Sequence, residues 1–444
     1  MGSKVFGTDG VRGTVGHPPM TVDFALRLAS AAARVLAPEG GTVLIGKDTR
    51  LSGYMFEAAL EAGFTAAGAN VLLAGPLPTP AVAYLCRRLG ADFGVVISAS
   101  HNPYQDNGIK IFAAGGDKLS DDQEARIEAL LDAPVLTRES QALGRARRVD
   151  DARTDYQDYC EGLLPRDGLA GVKLVVDCAH GASYKVAPRV LSNLGAEIVP
   201  IGCSPNGRNI NDGCGSTQPQ LLRTTLMGVG AHVGIALDGD GDRCILADEH
   251  GELVDGDQIL YILARDARLH GELRGPVVGT VMSNLGLEQA LAGLGIGFLR
   301  SAVGDRYVMS LLKERGGQLG GETSGHIINL ARATTGDGLV TALQVLAVMK
   351  RTGEPLSALA GGMQRLPQVL VNVRTAQRMD LDREPAVRQA LQEVEAGLGG
   401  RGRVVLRASG TEPVVRVMVE CSDESEARSC AGALAAVVES AAAR

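Results

Sequence analysis

The sequence predicts an α/β fold made of three related domains, followed by a smaller α+β domain at the C-terminal end. Two observations lead there: the chain has 444 residues, and one pattern of apolar strand, helix, glycine turn and second strand occurs three times. Hydrophobic residues make up 45% of the chain, enough to fill several cores. We predict domains at 1–150, 151–251, 252–366 and 367–444.

The three repeats have short and continuously apolar strands, which favour sheets covered by helices on both faces. The predicted strand, helix and strand are 42–46, 52–68 and 70–74 in the first repeat, 173–177, 183–194 and 197–201 in the second, and 276–279, 285–294 and 297–300 in the third. Their spacing of roughly one hundred residues or more favours duplicated domains over a solenoid. The alternative is the ordinary recurrence of strand–helix–strand units in a large α/β protein.

The pattern changes near residue 367. Strands are predicted at 370–374, 403–406 and 414–420, with an amphipathic helix at 384–398 and an alanine-rich helix from Asp423 onwards. This order predicts the smaller α+β domain.

Charge and composition exclude several classes of partner. The net charge is −7, the chain has no run of basic residues, and aromatic residues make up only 3%, so we expect neither a nucleic-acid nor a membrane partner. The eight cysteines form no C-x-x-C pair, which favours free core thiols in a reducing compartment. The start lacks the apolar run of a signal peptide, so we expect a cytoplasmic protein.

The sharpest motif is Asp238-Gly-Asp240-Gly-Asp242-Arg243, which follows a predicted strand at 233–237. Three carboxylates at alternate positions can converge on one hard cation, and the glycines allow the tight bend that this needs. An EF-hand loop does not fit, because Arg243 stands where that loop requires glycine. A solvated acidic turn remains the alternative, and Mg²⁺ is the predicted ligand.

A second motif, Ile97-Ser98-Ala-Ser100-His101-Asn-Pro103, follows another apolar strand. It places a hydroxyl at the carboxyl edge of a sheet, where open α/β sheets bind ligands. The G-x-S-x-G elbow of a serine hydrolase is missing. Spacing does not choose between Ser98 and Ser100, and an ordinary Asn-Pro loop is the alternative.

Three further loops are polar and rich in glycine, and an ordinary turn is the alternative for each. The loop 407–413 offers an arginine, hydroxyls and free backbone for an oxyanion such as phosphate. The loop 320–326 has donors and acceptors side by side, as sugar hydroxyls require. The loop 6–13 carries Arg12 among glycines.

Together and in this order, the five motifs resemble the α-D-phosphohexomutase superfamily over essentially the whole chain. The segments 6–13, 97–103 and Thr334–Gly338 look like the branch that acts on glucosamine phosphates, whereas Thr323 stands where that branch more often has an amide. The resemblance implies mixed sheets and four domains around one central cleft, each contributing one loop. It also implies interconversion of glucosamine 6-phosphate and glucosamine 1-phosphate through an enzyme phosphoserine and a 1,6-bisphosphate, a step that supplies UDP-N-acetylglucosamine and peptidoglycan precursors.

The resemblance also assigns roles to residues. Ser100 would carry the phosphoryl group and hold Mg²⁺ together with Asp238, Asp240 and Asp242. Contacts to the substrate would come from Glu322, Ser324 and His326 on the sugar and from Arg407, Ser409, Gly410 and Thr411 on the phosphate that does not react. Arg12, Lys110 and Arg243 are candidate electrostatic partners, and Lys110 or His101 is a candidate for proton transfer.

Two other functions stay open beside this one. The near alternative is a phosphoglucomutase/phosphomannomutase, and the distant one is a phosphosugar-binding protein without turnover. In every case a small phosphosugar is the expected partner, and a homodimer is one open alternative for the assembly.

Overall fold

A computed structural model gives the fold of residues 5–375, 379–408 and 413–442. Its first sheet has strands β1 (Val11–Thr14), β2 (Thr42–Lys47), β3 (Asn70–Pro76), β4 (Phe93–Ile97), β5 (Asp106–Ala113) and β6 (Ala146–Arg148), in the order β1-β5-β4-β2-β3-β6. Helices α1 (Val22–Leu36), α2 (Ser52–Ala66), α3 (Thr79–Arg88) and α4 (Asp121–Glu128) belong to the same domain.

Both faces of this sheet are buried, as the apolar strands predict. Side chains alternate along a strand, so Val43 and Ile45 pack with residues of α1 and α2, while Leu44 between them packs with α3 on the opposite face. The strands therefore lie between two layers of helices.

The second sheet has strands β7 (Lys173–Asp177), β8 (Glu197–Ile201), β9 (Val233–Leu237), β10 (Cys244–Ala247) and β11 (Leu253–Val254), in the order β11-β10-β9-β7-β8. Its helices are α5 (Ala152–Glu161), α6 (Ala187–Asn193) and α7 (Gln220–Val229). The helix predicted at 183–194 starts as a 3₁₀ turn at Ala182–Tyr184, and α6 follows with Pro188 in its first turn, where the missing N–H is tolerated. β11 pairs with β10 just beyond the boundary predicted at 251.

The third sheet has strands β12 (Val277–Thr280), β13 (Phe298–Ser301), β14 (Leu319–Gly321) and β15 (Ile327–Asn329), in the order β13-β12-β14-β15. The surrounding helices are α8 (Gly256–Leu269), α9 (Leu285–Gly293), α10 (Asp305–Arg315), α11 (Gly338–Thr352) and α12 (Leu356–Ala360).

These three sheets share one topology. In each, neighbouring parallel strands end in one strand that turns back antiparallel: β4 into β5, β9 into β10, and β14 into β15. The polar loops 98–105, 238–243 and 322–326 are the three connections at these turning points. The prediction of three related α/β domains is confirmed, and the candidate loops occupy equivalent places in them.

The C-terminal domain has three antiparallel strands and two helices. The strands are β16 (Gln368–Arg374), β17 (Gly402–Ala408) and β18 (Val414–Cys421), in the order β16-β18-β17, with helices α13 (Pro385–Leu398) and α14 (Glu424–Ala442). Val373 and Val417 pack against Leu434 of α14, so the helices cover one face of the sheet. The α+β domain predicted from the sequence is confirmed.

Two further predictions concern membranes and thiols. Among the described helices, none combines the length and the apolar character that a membrane crossing requires. All eight cysteines are free, and six of them are buried.

Candidate active site

Ser100 lies in the loop between β4 and β5 and is fully buried. Its backbone has a φ of +53°, and its Oγ donates a hydrogen bond to Oδ2 of Asp238 at 2.5 Å. Ser98 points the other way, because its Oγ donates to Oδ2 of Asp48 at 2.5 Å and accepts from the backbone N–H of Ser100 at 2.9 Å. Of the two hydroxyls that the sequence left open, the structure brings Ser100 to the acidic loop.

The acidic loop gathers its three carboxylates at one point. One ligand oxygen from each of Asp238, Asp240 and Asp242 lies within 4.8 Å of the others, and all three residues are buried. Oδ1 of Asp240 and Oδ1 of Asp242 have no hydrogen-bond donor in the described part of the chain. Buried carboxylate oxygens without a donor are costly, so this donor set fits a hard divalent cation.

The three carboxylates differ in their electrostatic surroundings. Burial, together with the charges of Asp242 and Asp240, raises the pKa of Asp238 well above its usual range. Burial also tends to raise the pKa of Asp242, but the cations beside it, first among them Lys110, hold that pKa well below its usual range.

Lys110 is the main cation of the acidic loop. Its Nζ lies 2.8 Å from Oδ2 of Asp240, 3.3 Å from Oδ2 of Asp242 and 2.8 Å from Oδ2 of Asp9. Burial tends to lower the pKa of this ammonium, but the three carboxylates outweigh burial and raise the pKa well above the ordinary value. Lys110 therefore stands beside the loop as a positive charge.

The two histidines near the loop carry opposite pKa shifts. Burial, with Arg243 and Arg12 nearby, lowers the pKa of His101 to about 4, and its Nδ1 lies 3.3 Å from Oγ of Ser100. Burial alone would lower the pKa of His326 too, but Asp242 and Asp305 raise it to about 9. The surroundings thus favour the neutral ring at His101 and oppose loss of a proton from His326.

A cavity of about 390 Å³ opens beside these groups. Residues of the first three domains line it, including Arg12, Asp242, Arg243, Glu322 and His326. Nε of Arg12 and Nε of Arg243 are buried and have no acceptor among the described residues. Two arginines with donors to spare suit a phosphorylated ligand.

The predicted sugar loop forms one wall of this cavity. Glu322 is half-buried and its Oε1 accepts the backbone N–H of Gly304 at 3.0 Å, whereas Ser324 is exposed and is not part of the lining. His326 is buried beneath the loop, where its Nε2 lies 3.3 Å from Oδ2 of Asp305.

The sequence reasoning missed several charged residues of the site. Asp9 accepts from Lys118 at 2.6 Å, and Lys118 also pairs with Asp305, which links the first domain to the third. Gly304 and Asp305 follow β13 after two intervening residues and line the cavity. Their place at the carboxyl edge of a sheet is the signal that would have identified them.

Arg407 lies on β17 of the C-terminal domain and does not line the cavity. It pairs with Arg416 of β18, so two guanidinium groups share one sheet face, and neither has an ion-pair partner within the described ranges. Burial and then the charge of Arg416 lower the pKa of Arg407. Ser409, Gly410 and Thr411 lie outside the described residues. Arg416 was not among the candidate residues that the sequence indicated.

Comparison with known families agrees with this architecture. Family models described as phosphoglucomutase/phosphomannomutase match the chain as alpha/beta/alpha domain I at residues 3–136, domain II at 155–251, domain III at 255–366 and the C-terminal domain at 370–437. The chain belongs to the phosphoglucomutase/phosphomannomutase family. The phosphohexomutase class that the motifs indicated is confirmed.

Individual relatives are similar over their full length. The chain is 57% identical to phosphoglucosamine mutase 1 of Shewanella amazonensis, covering 99% of each chain. It is 55% identical to phosphoglucosamine mutase of Aeromonas hydrophila, covering 99% of this chain and 100% of the relative.

Solved structures show the same fold at lower identity. A phosphoglucomutase/phosphomannomutase family protein from Burkholderia thailandensis superposes with a TM-score of 0.81 at 24% identity, covering 99% of this chain and 98% of the other. The N-acetylphosphoglucosamine mutase of Aspergillus fumigatus, in complex with GlcNAc-6P and magnesium, gives 0.71 at 20% identity, with coverage of 98% and 96%.

Proposed function

We propose that this chain is a phosphoglucosamine mutase, which interconverts glucosamine 6-phosphate and glucosamine 1-phosphate. The observation that carries the proposal is the hydroxyl of Ser100, which is buried and lies 2.5 Å from a carboxylate of a three-aspartate cluster. Relatives at 55–57% identity over the full length carry this name. The product would supply UDP-N-acetylglucosamine and peptidoglycan synthesis in the cytoplasm.

Asp238, Asp240 and Asp242 would hold Mg²⁺ together with the Ser100 oxygen. The fit rests on the two carboxylate oxygens without donors, since hard oxygen ligands are the ones that Mg²⁺ prefers. When bound, the ion would neutralise charge on the transferring phosphoryl group.

In the first half-reaction, phosphorylated Ser100 would give its phosphoryl group to a sugar hydroxyl. The bond from phosphorus to Oγ of Ser100 breaks and a bond from phosphorus to the sugar oxygen forms. The proton of the sugar hydroxyl is transferred to Oγ. His101 is neutral and within 3.3 Å of Oγ, so it suits this proton transfer better than Lys110, which is held as an ammonium. In the second half-reaction the bisphosphate, turned around, would return its other phosphoryl group to Ser100.

The remaining residues would balance the charge of the phosphate groups or orient the sugar. Arg12, Arg243 and Lys110 would balance the phosphate charge in the cavity, as the surplus donors of the two arginines favour. Glu322 and Ser324 would orient the sugar, with His326 supporting their loop from below. Arg407, with Ser409, Gly410 and Thr411, would hold the phosphate that does not react.

The test combines mass and activity. Intact mass with and without phosphatase should show one labile phosphate, which peptide mapping should place on Ser100. Mutase activity should be higher on glucosamine 6-phosphate than on glucose or mannose 6-phosphate, and a chelator should remove it until Mg²⁺ is restored. Preference for glucose or mannose phosphates would instead identify a phosphoglucomutase/phosphomannomutase, and binding without turnover would leave only a phosphosugar-binding protein.

A further inference from the structure

Several residues close to Ser100 have a left-handed backbone conformation. In the described ranges, five residues other than glycine have positive φ angles: Ser100, Asp167, Ala179, His180 and Asn211. All except Asp167 meet at the junction of the first two domains, because the N–H of Asn211 donates to the carbonyl of Ala179 at 2.9 Å and the hydroxyl of Thr49 donates to the carbonyl of His180 at 2.6 Å. Such backbone persists only where the surroundings impose it, and it is often found at functional sites.

The contact that joins this cluster to Ser100 is made by the side chain of Asn211. Its Nδ2 donates to the carbonyl oxygen of Ser100 at 2.9 Å and to that of Asn102 at 3.1 Å. Asn211 belongs to the second domain and is buried, so the serine loop of the first domain is held from outside its own domain. Nη2 of Arg50 reaches the same two carbonyls from within the first domain.

The acidic loop packs against the same two residues, Ser100 and Asn211. A Cβ atom at Gly239 would lie 2.6 Å from the carbonyl oxygen of Ser100 and 2.7 Å from Nδ2 of Asn211, so only glycine fits between them. Gly239 in turn accepts the N–H of Ala182 at 2.8 Å. Asn211 therefore contacts the serine loop at the place where that loop meets the acidic loop.

We propose that Asn211 is a positioning residue for the phosphoryl-carrying serine. Its amide fixes the left-handed backbone of Ser100, and this backbone directs Oγ toward Asp238. Without the amide, Ser100 can relax toward commoner backbone angles, and Oγ then moves away from the acidic loop. The inference rests on the proposed function and adds to it a residue that acts through Ser100 and does not touch the substrate.

Two substitutions isolate this role. Asn211→Gly removes both amide donors and leaves a residue that adopts a φ of +59° readily, so we expect the fold to be preserved. Asn211→Asp keeps the size of the side chain but places carboxylate oxygens against two carbonyl oxygens. The matched control is Asp212→Gly, which adds a glycine to the same loop at the next residue, whose side chain is exposed.

The experiment measures kcat and KM on glucosamine 6-phosphate, the Mg²⁺ concentration for half-activation, and the thermal midpoint. For Asn211→Gly we expect kcat to fall about ten- to a hundredfold, with a larger fall for Asn211→Asp. KM should stay within about twofold, because other loops bind the sugar. The Mg²⁺ concentration for half-activation should rise by less than about tenfold, because the ion loses the Ser100 oxygen and keeps the three aspartates. The control should match wild type.

The two proposals fail in different ways. A wild-type protein without mutase activity overturns the proposed function. An active and phosphorylated wild type whose Asn211→Gly variant keeps its kcat overturns the positioning role. That role is also overturned if kcat, KM and thermal midpoint of Asn211→Gly all change together, since this pattern shows a general loss of structure.

Discussion

The candidate site has two ends, and they are built differently. At the Ser100 end, buried groups from three domains hold one another, as when Oγ1 of Thr79 donates to Oδ2 of Asp240 at 2.6 Å. At the Arg407 end, the side chain is half-buried on a sheet whose domain meets the third domain at the other end of the strands. There Nη1 of Arg403 donates to the carbonyl of Val281 at 3.0 Å, and Glu420 accepts the N–H of Leu285 at 2.9 Å.

The two ends also differ in the sign of their charged groups. The Ser100 end keeps two carboxylate oxygens without donors, whereas the Arg407 end sets two arginines side by side with no described carboxylate. The carboxylate oxygens without donors favour a cation at the first end, and the adjacent guanidinium groups favour a phosphate at the second. The first end is built from buried groups of packed domains, and the second is carried by a domain that meets the third domain at the far end of its strands.

The largest effect is expected from removing the covalent group. Ser100→Ala should lower mutase turnover by at least about a thousandfold while the thermal midpoint stays close to wild type, because the hydroxyl relays phosphate and fills little space. Steady-state kinetics and intact mass check this. Ser98→Ala should be much milder, and phosphate found on Ser98, or near-normal turnover in Ser100→Ala, would make the assignment wrong.

Asp240→Asn probes the cation at the same end. The substitution removes one of three negative charges, so the Mg²⁺ concentration for half-activation should rise about ten- to a hundredfold, and activity should partly return at high Mg²⁺. Asp212→Asn removes a charge from an exposed position and should leave the metal titration unchanged. Identical titrations for Asp240→Asn and wild type would contradict a metal site here.

Arg407→Ala probes the phosphate end. Losing a charged hydrogen bond costs about 1.5–3 kcal/mol, or roughly ten- to a hundredfold in affinity, so KM should rise by that factor. Glucosamine 1,6-bisphosphate should also leak into solution, because the same group would hold the intermediate while it turns. Both quantities can be followed during turnover.

Two further variants help to interpret the result for Arg407→Ala. Arg407→Lys should rescue only partly, since it keeps the charge and loses the planar fork. Arg388→Ala, on the exposed side of α13, should behave as wild type. A normal KM without leakage in Arg407→Ala would remove this end from the site.

The smallest effect concerns Asp257, which accepts a hydrogen bond from Thr323 of the sugar loop. Asp257 in the first turn of α8 is fully buried, accepts from the N–H of Asn284 at 2.8 Å and from Oγ1 of Thr323 at 2.9 Å, and has a pKa raised to about 6, chiefly by burial. In the unfolded chain this carboxyl ionises near pH 4. Between about pH 4 and 6 folding must therefore take up a proton or bury a charge, so the free-energy cost of burying Asp257 increases over this range and is fully present above it.

Asp257→Asn removes that cost. We expect the variant to be more stable than wild type by about 1–3 kcal/mol at pH 8 and to show little difference at pH 4. Denaturant unfolding at the two pH values measures it. An equal effect at both would show that Asp257 is ionised in the folded state throughout.

Much of this molecule follows from the sequence alone. Short apolar strands fixed the three α/β repeats, because a continuous apolar run is stable only between two helix layers. The aspartates lie within five residues, so a local bend is enough to gather them, and no distant contact is needed. The loop that begins at Arg407 was likewise predicted between two strands, and Ser100 directly after one, whereas β14 and β15 on either side of Glu322 were not predicted.

Tertiary structure decided which distant groups meet. It directed Ser98 to Asp48 and Ser100 to Asp238, a choice that two serines separated by one residue do not reveal. It brought Lys110 to Asp240 across 130 residues and Asn211 to Ser100 across 111. Periodicity and spacing describe how a residue relates to its own strand or loop. These pairings depend instead on how the edges of different sheets pack together. That packing is set by burial of the whole interface between the domains.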